Sequence, residues 1–543
     1  MSRHRIIQAT LLAGVLCLLV FNPSPTEAQE GEPTYELPYE NLPPVTLPPV
    51  AQHQVLALIV DHPDSTQTIP SNGQVQQQLD VVRDYFLEAS YGKVEFDTTL
   101  VFGGVLLDTQ PTCSLDPLDT DRVMNEAIAN ADSGVDYSLF SHVLIYAPFG
   151  ATCNWGGLYK GVNTFSTGEG TLALDISLIN ARHVNGPAVP AHELGHSLGL
   201  GHAWFLNCDT TFAEGATDCN GIEYGDLYSV MGSTNPGDPA FHISAVQKEL
   251  LGWFDPGDVI DVHGDGTFQV EAISADVNSI KALRICREPG KYLYVETRRE
   301  VGFDDGITRN GQRDVSGAML HTQDFLSAPP GADGPRGTSS FLLDATPDTA
   351  NGSLTTNDAT LKPGAGALVD PISGVSLRVL SAGHKAAKVK VIDPNPTTIA
   401  GPVSNITCSY IEAQPQPVAL VTWENEDCYD TIEIRRNGEL IFTTPGWAPG
   451  FGEPAPPGGL QEYEIRPIID GLPSVPVFCT VDVPCPPCKA DYDGNGVIDL
   501  VDVGAFSGFW NAGDLQADLN CDGVLNLADV SILSQLINQG TCP

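Results

Sequence analysis

Residues 191–204 read AHELGHSLGLGHAW and place His192, Glu193, His196 and His202 within eleven positions. His192 and His196 are four apart, about 400° around a helix, so their rings share one face, one turn apart. His202 lies six residues beyond His196, and continued helix would carry it about 240° round, off that face. The spacing therefore predicts a helix that ends between them. Gly199 is placed to end it, because glycine enters the left-handed region without a Cβ clash. The chain can then return His202 to the ion that His192 and His196 hold. Three imidazoles with a fourth position left open make the donor set of a catalytic zinc, whereas structural zinc closes with four protein ligands. Glu193 stands outside that set. It is the expected general base, taking a proton from a zinc-bound water acidified to a pKa of about 7 and passing it to the leaving amine of a peptide.

The 543-residue chain carries 26 Lys+Arg against 68 Asp+Glu, a net charge of −42. Such a field repels phosphate backbones and anionic lipid, so neither nucleic acid nor a membrane surface is an expected partner. The length suits roughly three or four domains. Arg3 and Arg5, the apolar run 6–21 and the small residues TEA at 26–28 read as a signal peptide over 1–28. That run is short for a membrane span of about 20 residues, and two prolines follow it. The expected location is therefore extracellular, free or tethered to a larger assembly, with no span left after cleavage. Removing Cys17 leaves 12 of the 13 cysteines, an even number that suits disulfides in an exported chain. Cys113 with Cys153, Cys208 with Cys219, and pairs among the cysteines from Cys408 to Cys488 are the local candidates.

Along the chain, 29–52 is Pro-rich and acidic, an extended tether or short pro-segment. A catalytic domain is expected over 53–257. VLALIV (55–60), HVLIYA (142–147) and TLALDI (171–176) read as strands, and Val75, Leu79, Val82 and Phe86 mark a helix that stops by Gly92. Strands alternating with helices give an α/β segment. From 258 to 396 short β-rich runs (TFQVEAI, YLYVETRR, AAKVKVI) alternate with turns and suggest a β-sandwich-like appendage, with DPNPTT (393–398) as linker. Over 397–484, ALVTWE, a hairpin turning on Asn437-Gly438, YEIRPII and VFCTVDV read as a small sandwich. It resembles fibronectin type III or immunoglobulin-like modules, which usually act as spacers.

The HExxHxxGxxH pattern is the signature of metzincin metallopeptidases, and Met231 in EYGDLYSVMG (223–232), downstream of His202, matches their methionine turn beneath the metal. HELGHSLGLGHA, EYGDLYSVMG and QKELLGW (247–253) together resemble the gametolysin family. YLYVETRR and the text at 342–371 are shared in kind with immune inhibitor A-like peptidases, which generally lack the third histidine. The resemblance covers roughly 53–395 and implies extracellular zinc endopeptidases acting on matrix or surface proteins. It also implies a latency device. Residues 29–52 hold no cysteine to plug the metal, and Cys113 reads more simply as half of a disulfide.

DYDGNGVIDLVD (491–502) and DLNCDGVLNLAD (518–529) are an internal repeat offset by 27. Oxygen side chains fall at positions 1, 3, 5, 9 and 12 of each loop, with glycine at 6. They are Asp491, Asp493, Asn495, Asp499 and Asp502, then Asp518, Asn520, Asp522, Asn526 and Asp529; the carbonyls of Val497 and Val524 fall at position 7. Each loop is an expected calcium site. Aspartate at position 12, with an apolar helix after each loop, resembles type I dockerins over 485–543. That resemblance implies calcium-coupled folding and docking onto a cohesin-type partner. Cys488 and Cys542 could clasp the ends.

These readings converge on a secreted zinc endopeptidase, tethered through a calcium-dependent dockerin. The rival classes are a non-catalytic adhesion or scaffold protein that only binds metal, which the intact Glu193 argues against, and a zinc hydrolase of non-peptide substrates.

Overall fold

The computed structural model describes residues 52–113, 117–150, 153, 155–208, 219–232, 239–275, 278–309, 311–322, 339–346, 355–396, 400–411, 417–454, 456–484, 489–492, 497–521 and 524–539. The expected signal peptide and nearly all of the 29–52 tether lie outside them. So do Cys485, Cys488, Cys542 and the loop residues Asp493, Asn495 and Asp522.

The chain opens with β1 (Gln52–Asp61), α1 (Asn72–Ala89), β2 (Glu95–Leu106), α2 (Pro117–Ala131), β3 (His142–Ala147), β4 (Gly157–Thr167), β5 (Gly170–Asn180) and α3 (Ala188–Ser197). The strands form one sheet in the order β2-β1-β3-β5-β4. β1 runs parallel to β2 and β3, and β3 parallel to β5; only the edge strand β4 is antiparallel, to β5. Parallel strands covered on both faces need continuous apolar sequence rather than alternation. VLALIV meets that need. Val55, Ala57 and Ile59 face Val75, Leu79, Val82 and Phe86 of α1, while Leu56, Leu58 and Val60 face Val123, Ala127 and Ile128 of α2. Ser71 starts α1 through a reciprocal capping box with Gln74, and Gly92 turns left-handed at φ +81° just past its end.

Next come β6 (Ala203–Cys208), β7 (Cys219–Ile222), α4 (Ala245–Leu250), β8 (Val259–Val262), β9 (Gly266–Glu271), β10 (Ala282–Glu288), β11 (Lys291–Glu296), β12 (Met319–Thr322), β13 (Ser340–Leu343), β14 (Leu368–Val369), β15 (Ser376–Ala382) and β16 (Ala386–Ile392). They build a seven-stranded sheet, β7-β6-β13-β12-β11-β10-β8, and a four-stranded one, β14-β15-β16-β9. The division expected at 257/258 thus falls inside a sheet: β6, which starts directly after His202, pairs in parallel with β13. Phe205 and Tyr228 share a small core with Met319 and Leu342. A fully buried chain of polar and charged side chains joins the same two regions. Asp226 meets His321 at 3.1 Å, and Arg298 holds Glu296 at 2.8 Å and Asp304 at 3.3 Å.

The third unit contains β17 (Ser404–Ile411), β18 (Val418–Glu424), β19 (Thr431–Arg436), β20 (Glu439–Pro445), β21 (Gly450–Pro454), β22 (Gly459–Ile469), β23 (Leu472–Pro473) and β24 (Val477–Val483). They form two sheets, β17-β18-β21 and β20-β19-β22-β23, with β24 on β22. The β19–β20 hairpin turns on Asn437 and Gly438 at φ +50° and +85°, a two-residue turn of the kind an Asn-Gly pair favours. This unit is packed against the rest of the chain rather than spaced from it. Tyr292 donates to the Tyr429 carbonyl at 2.7 Å, and Trp447 Nε1 donates to Glu249 at 3.3 Å.

The disulfides correct one expectation. Cys113 pairs with Cys153, and Cys408 with Cys479, but Cys428 bonds Cys286, outside the group in which its partner was sought. Cys208 stands opposite Cys219 in the β6–β7 register.

Two helices close the chain, α5 (Leu500–Ala512) and α6 (Leu527–Gln539), around Ile498, Phe506, Leu519 and Leu533. Asp502 is buried and accepts from the backbone N–H of Tyr492 at 2.7 Å and of Asp499 at 3.0 Å. Asp529, its counterpart at the end of the second loop, accepts from Leu519 at 2.8 Å and Asn526 at 2.9 Å in the same way. The sequence repeat is therefore a structural repeat. Among the described residues no helix is long and apolar enough to cross a membrane.

Candidate metal centre

α3 is buried from Ala188 to Gly195 and ends at Ser197, capped by Leu198; Gly199 follows at φ +87°, the left-handed corner the spacing requires. The turn is fixed by Gly199 N–H to the His196 carbonyl at 2.8 Å and Leu200 N–H to the Gly195 carbonyl at 3.1 Å. Gln247, on α4, reaches the Gly201 carbonyl at 2.9 Å from the far side. Beyond the turn the backbone enters β6, where Ala203 N–H donates to the Met231 carbonyl at 2.8 Å. Met231 is fully buried. Its sulfur occupies the space that a Cβ on Gly195 would need, so the glycine inside HELGH is what admits the methionine beneath the histidines.

His192, His196 and His202 converge: one ring nitrogen from each lies within 4.8 Å of the others. Their tautomers follow from their partners. Nδ1 of His192 donates to the Val230 carbonyl at 2.8 Å, Nδ1 of His196 to the Leu200 carbonyl at 2.7 Å, and Nδ1 of His202 to Glu223 Oε1 at 2.6 Å. With each Nδ1 carrying its proton, each neutral ring leaves a lone pair on Nε2. The Nε2 atoms of His192 and His196 stand 3.1 Å apart, and Nε2 of His202 is buried with no hydrogen-bond partner. Three lone pairs turned on one another call for a cation, and a nitrogen donor set suits zinc. Burial pushes all three rings toward the neutral form, His196 and His202 down to about 3. His192 lies well below its usual value, through burial first and then its two neighbours.

Glu193 is 5 % exposed. It leans on the first residue of β4: a Cβ on Gly157 would stand 2.7 Å from both Cγ and Cδ of the glutamate. β4 supplies a second neighbour, Tyr159, whose ring stacks on His196 at 6.0 Å and whose hydroxyl donates to Asp175 at 3.3 Å. Tyr224, left-handed at φ +57°, packs against His202 with ring centroids 4.0 Å apart.

The sequence reading missed Gly157, Tyr159, Glu223 and Tyr224. Glu223 and Tyr224 lie in the stretch quoted for Met231, and their nearness to that methionine was the available signal. Gly157 and Tyr159 lie on an edge strand with no motif. The calcium loops are less complete. Asp491, Asp499, Asp502, Asp518, Asn520, Asn526 and Asp529 and the backbones of Val497 and Val524 are described, but no three carboxylates of these loops meet as a metal-holding group among the described residues.

A family model, gametolysin peptidase M11, matches residues 69–295, a span containing the three histidines, Glu193 and Met231. The match supports a metallopeptidase. Metalloproteinase-II from Bacteroides fragilis is similar over 40 % of this chain and 59 % of its own, at 12 % identity and TM-score 0.24. OgpA from Akkermansia muciniphila is similar over 82 % and 97 %, at 10 % identity and TM-score 0.24. The spore cortex lytic enzyme SleM of Clostridium perfringens aligns over 19 % of this chain and only 35 % of its own length, at 18 % identity and TM-score 0.14. Likenesses this low add nothing to the fold described above. No curated protein sequence matches the chain.

Two outcomes follow from this geometry. Gly157→Ala should displace the Glu193 carboxylate and, with Glu193 in the general-base role its sequence context predicts, lower peptidase turnover by about 10²-fold, while metal content stays at the wild-type level. The second concerns protons. An unfolded histidine takes up a proton near pH 6.5, whereas His196 and His202 stay neutral down to about 3. The fold thus excludes protons here, and the metal-free chain loses stability as pH falls below 6.5 toward 3. Zinc titrated at about pH 6 into the metal-free chain, in two buffers of different ionisation enthalpy, should release less than one proton. Three ordinary histidines would release about two.

Proposed function

We propose that the chain is a secreted zinc endopeptidase of the gametolysin type within the metzincins, acting on extracellular proteins. The observation that carries this reading is the convergence of three neutral imidazoles, His192, His196 and His202, with the buried carboxylate of Glu193 beside them. When bound, zinc supplies a Lewis acid that polarises a carbonyl and acidifies water. The residues of the chain do the rest. Glu193 takes the proton of the attacking water and delivers it to the nitrogen of the departing peptide. β4 pairs only with β5 among the described strands, so its open edge can receive an extended peptide as an added strand. Gly157 and Tyr159 start that edge and bring it to Glu193 and His196.

The C-terminal unit is proposed as a calcium-binding dockerin that tethers the enzyme to a cohesin-type partner, with 397–484 as a fibronectin III- or immunoglobulin-like module. Two features support the tether. The repeated clamps at Asp502 and Asp529 close both loops, and segment 488–543 carries eight Asp against one Lys, a net −7 that cations would relieve. Apolar side chains repeat at the same offset and face solvent: Leu500 and Leu527 are 86 % and 80 % exposed, and Val497 and Val524 are 44 % and 57 %. Exposed apolar side chains that the unit's own core does not use suit a protein partner.

Glu193→Gln should retain one zinc per chain by elemental analysis and lose about 10²–10⁴-fold in cleavage of a denatured protein substrate. Near-normal cleavage by the variant would end the peptidase assignment. Calcium should protect the C-terminal segment of the full chain from limited proteolysis and EGTA should expose it, with Asp502→Ala and Asp529→Ala each weakening protection. A segment equally protected in both conditions would remove the dockerin.

A further inference from the structure

The third histidine differs from the other two in what holds it. The acceptors of His192 and His196 are backbone carbonyls of Val230 and Leu200, which come with the fold. His202 has a side-chain acceptor, the carboxylate of Glu223, at 2.6 Å. We propose that Glu223 is a positioning residue of the metal centre: it fixes the tautomer and the ring orientation of His202 and strengthens its Nε2 as a donor. This inference rests on the zinc reading above.

The surroundings of Glu223 are built to hold it in place. It follows directly on β7, which ends at Ile222 opposite Phe205 of β6, so His202 and Glu223 flank one strand pair. The next residue, Tyr224, takes a left-handed backbone, and Gly225 follows in a space where a Cβ would stand 2.7 Å from the Phe205 Cβ and 2.8 Å from the Ile222 carbonyl. Asp226 then anchors the segment. Its N–H donates to the Ala203 carbonyl, and its carboxylate accepts from Tyr228 N–H at 3.0 Å and meets His321 of β12 at 3.1 Å. Tyr224 covers one face of the His202 ring. The chain on both sides of Glu223 is therefore tied down, and its carboxylate is held against Nδ1 of His202.

Stability alone does not account for the pair. The Glu223 side chain is 33 % exposed and that of His202 14 %, and with a neutral ring the contact is a hydrogen bond, whose net contribution to folding is modest because water offers both groups partners in the unfolded chain. A carboxylate behind a ligating imidazole does more for the metal: losing such a partner typically weakens metal binding about 10–100-fold. The chain also leaves Nε2 of His202 buried and without a partner, an arrangement that gains from Glu223 only if something is bound in front of it.

The test uses the full-length chain, stripped of metal and titrated with zinc against a chromophoric chelator, and with cobalt for its absorption bands. Glu223→Ala should bind zinc about 10–100-fold more weakly and shift the cobalt bands, while its metal-free melting temperature stays close to wild type. Glu223→Gln, whose amide oxygen can still accept from Nδ1–H, should recover part of the affinity. Wild-type zinc affinity and cobalt bands in Glu223→Ala would overturn the inference and leave the zinc reading intact. A metal-free melting temperature that falls together with affinity in both variants would assign Glu223 to the fold instead. If the wild-type chain binds no zinc, or binds it undiminished after His192→Ala, the zinc reading itself fails and this inference goes with it.

Discussion

Three unprotonated ring nitrogens held within 4.8 Å of each other repel unless a cation lies among them. Much of the surrounding architecture serves to impose that meeting. Each imidazole is turned inward by a hydrogen bond on its outer nitrogen, and the acceptors come from two stretches: Leu200 from the turn after α3, and Val230 and Glu223 from the segment after β7. The turn follows a helix packed with the five-stranded sheet and the segment follows an edge strand of the seven-stranded one, so the site needs both. The parallel sheet sets α3, the seven-stranded sheet sets β6 and β7, and Gly195 lets Met231 lie directly beneath.

The parts of this arrangement that are local in sequence were readable there. The shared face of His192 and His196 and the corner after it follow from helix geometry alone, and the structure places Gly199 at φ +87°. VLALIV and HVLIYA announce strands covered on both faces, and Asn437-Gly438 announces a hairpin. What escaped depends on distance in the chain. β4, GLYKGVNTFST, mixes polar and small residues because it lies at an edge, so it has no clean period, and its Gly157 acts on Glu193 from an earlier, separate element. The Cys286–Cys428 bond has a sequence separation of 142 and could not be sorted from other pairings by spacing. Glu223 reads as one more surface acid until its carboxylate is seen against His202.

The textural change near residue 258 was also real without marking a boundary between independent units. Alternating β-rich sequence does begin there, yet it supplies β13 to β6 and His321 to Asp226, so the second half of the chain carries part of the catalytic framework. The buried charges reflect this. Arg298 sits with no exposure between Glu296 and Asp304, and burial raises the Asp304 carboxyl to about 6 against the pull of that arginine. Groups so far from water tolerate no loss of a partner, so the contacts that tie the segment after β7 to β11 and β12 are costly to break.

The parallel pairing of β6 with β13 has a consequence for how the enzyme comes into being. Ala203 lies opposite Ser340, so two strands far apart in the chain must meet. Contacts of such separation close late, because the loop between them must be ordered first. A ribosome-bound or truncated chain therefore holds the whole HExxHxxGxxH text long before it holds the strand against which His202 is set. Until β13 has been made, β6 lacks its partner in the seven-stranded sheet, so the motif is complete as text before its setting is complete as structure.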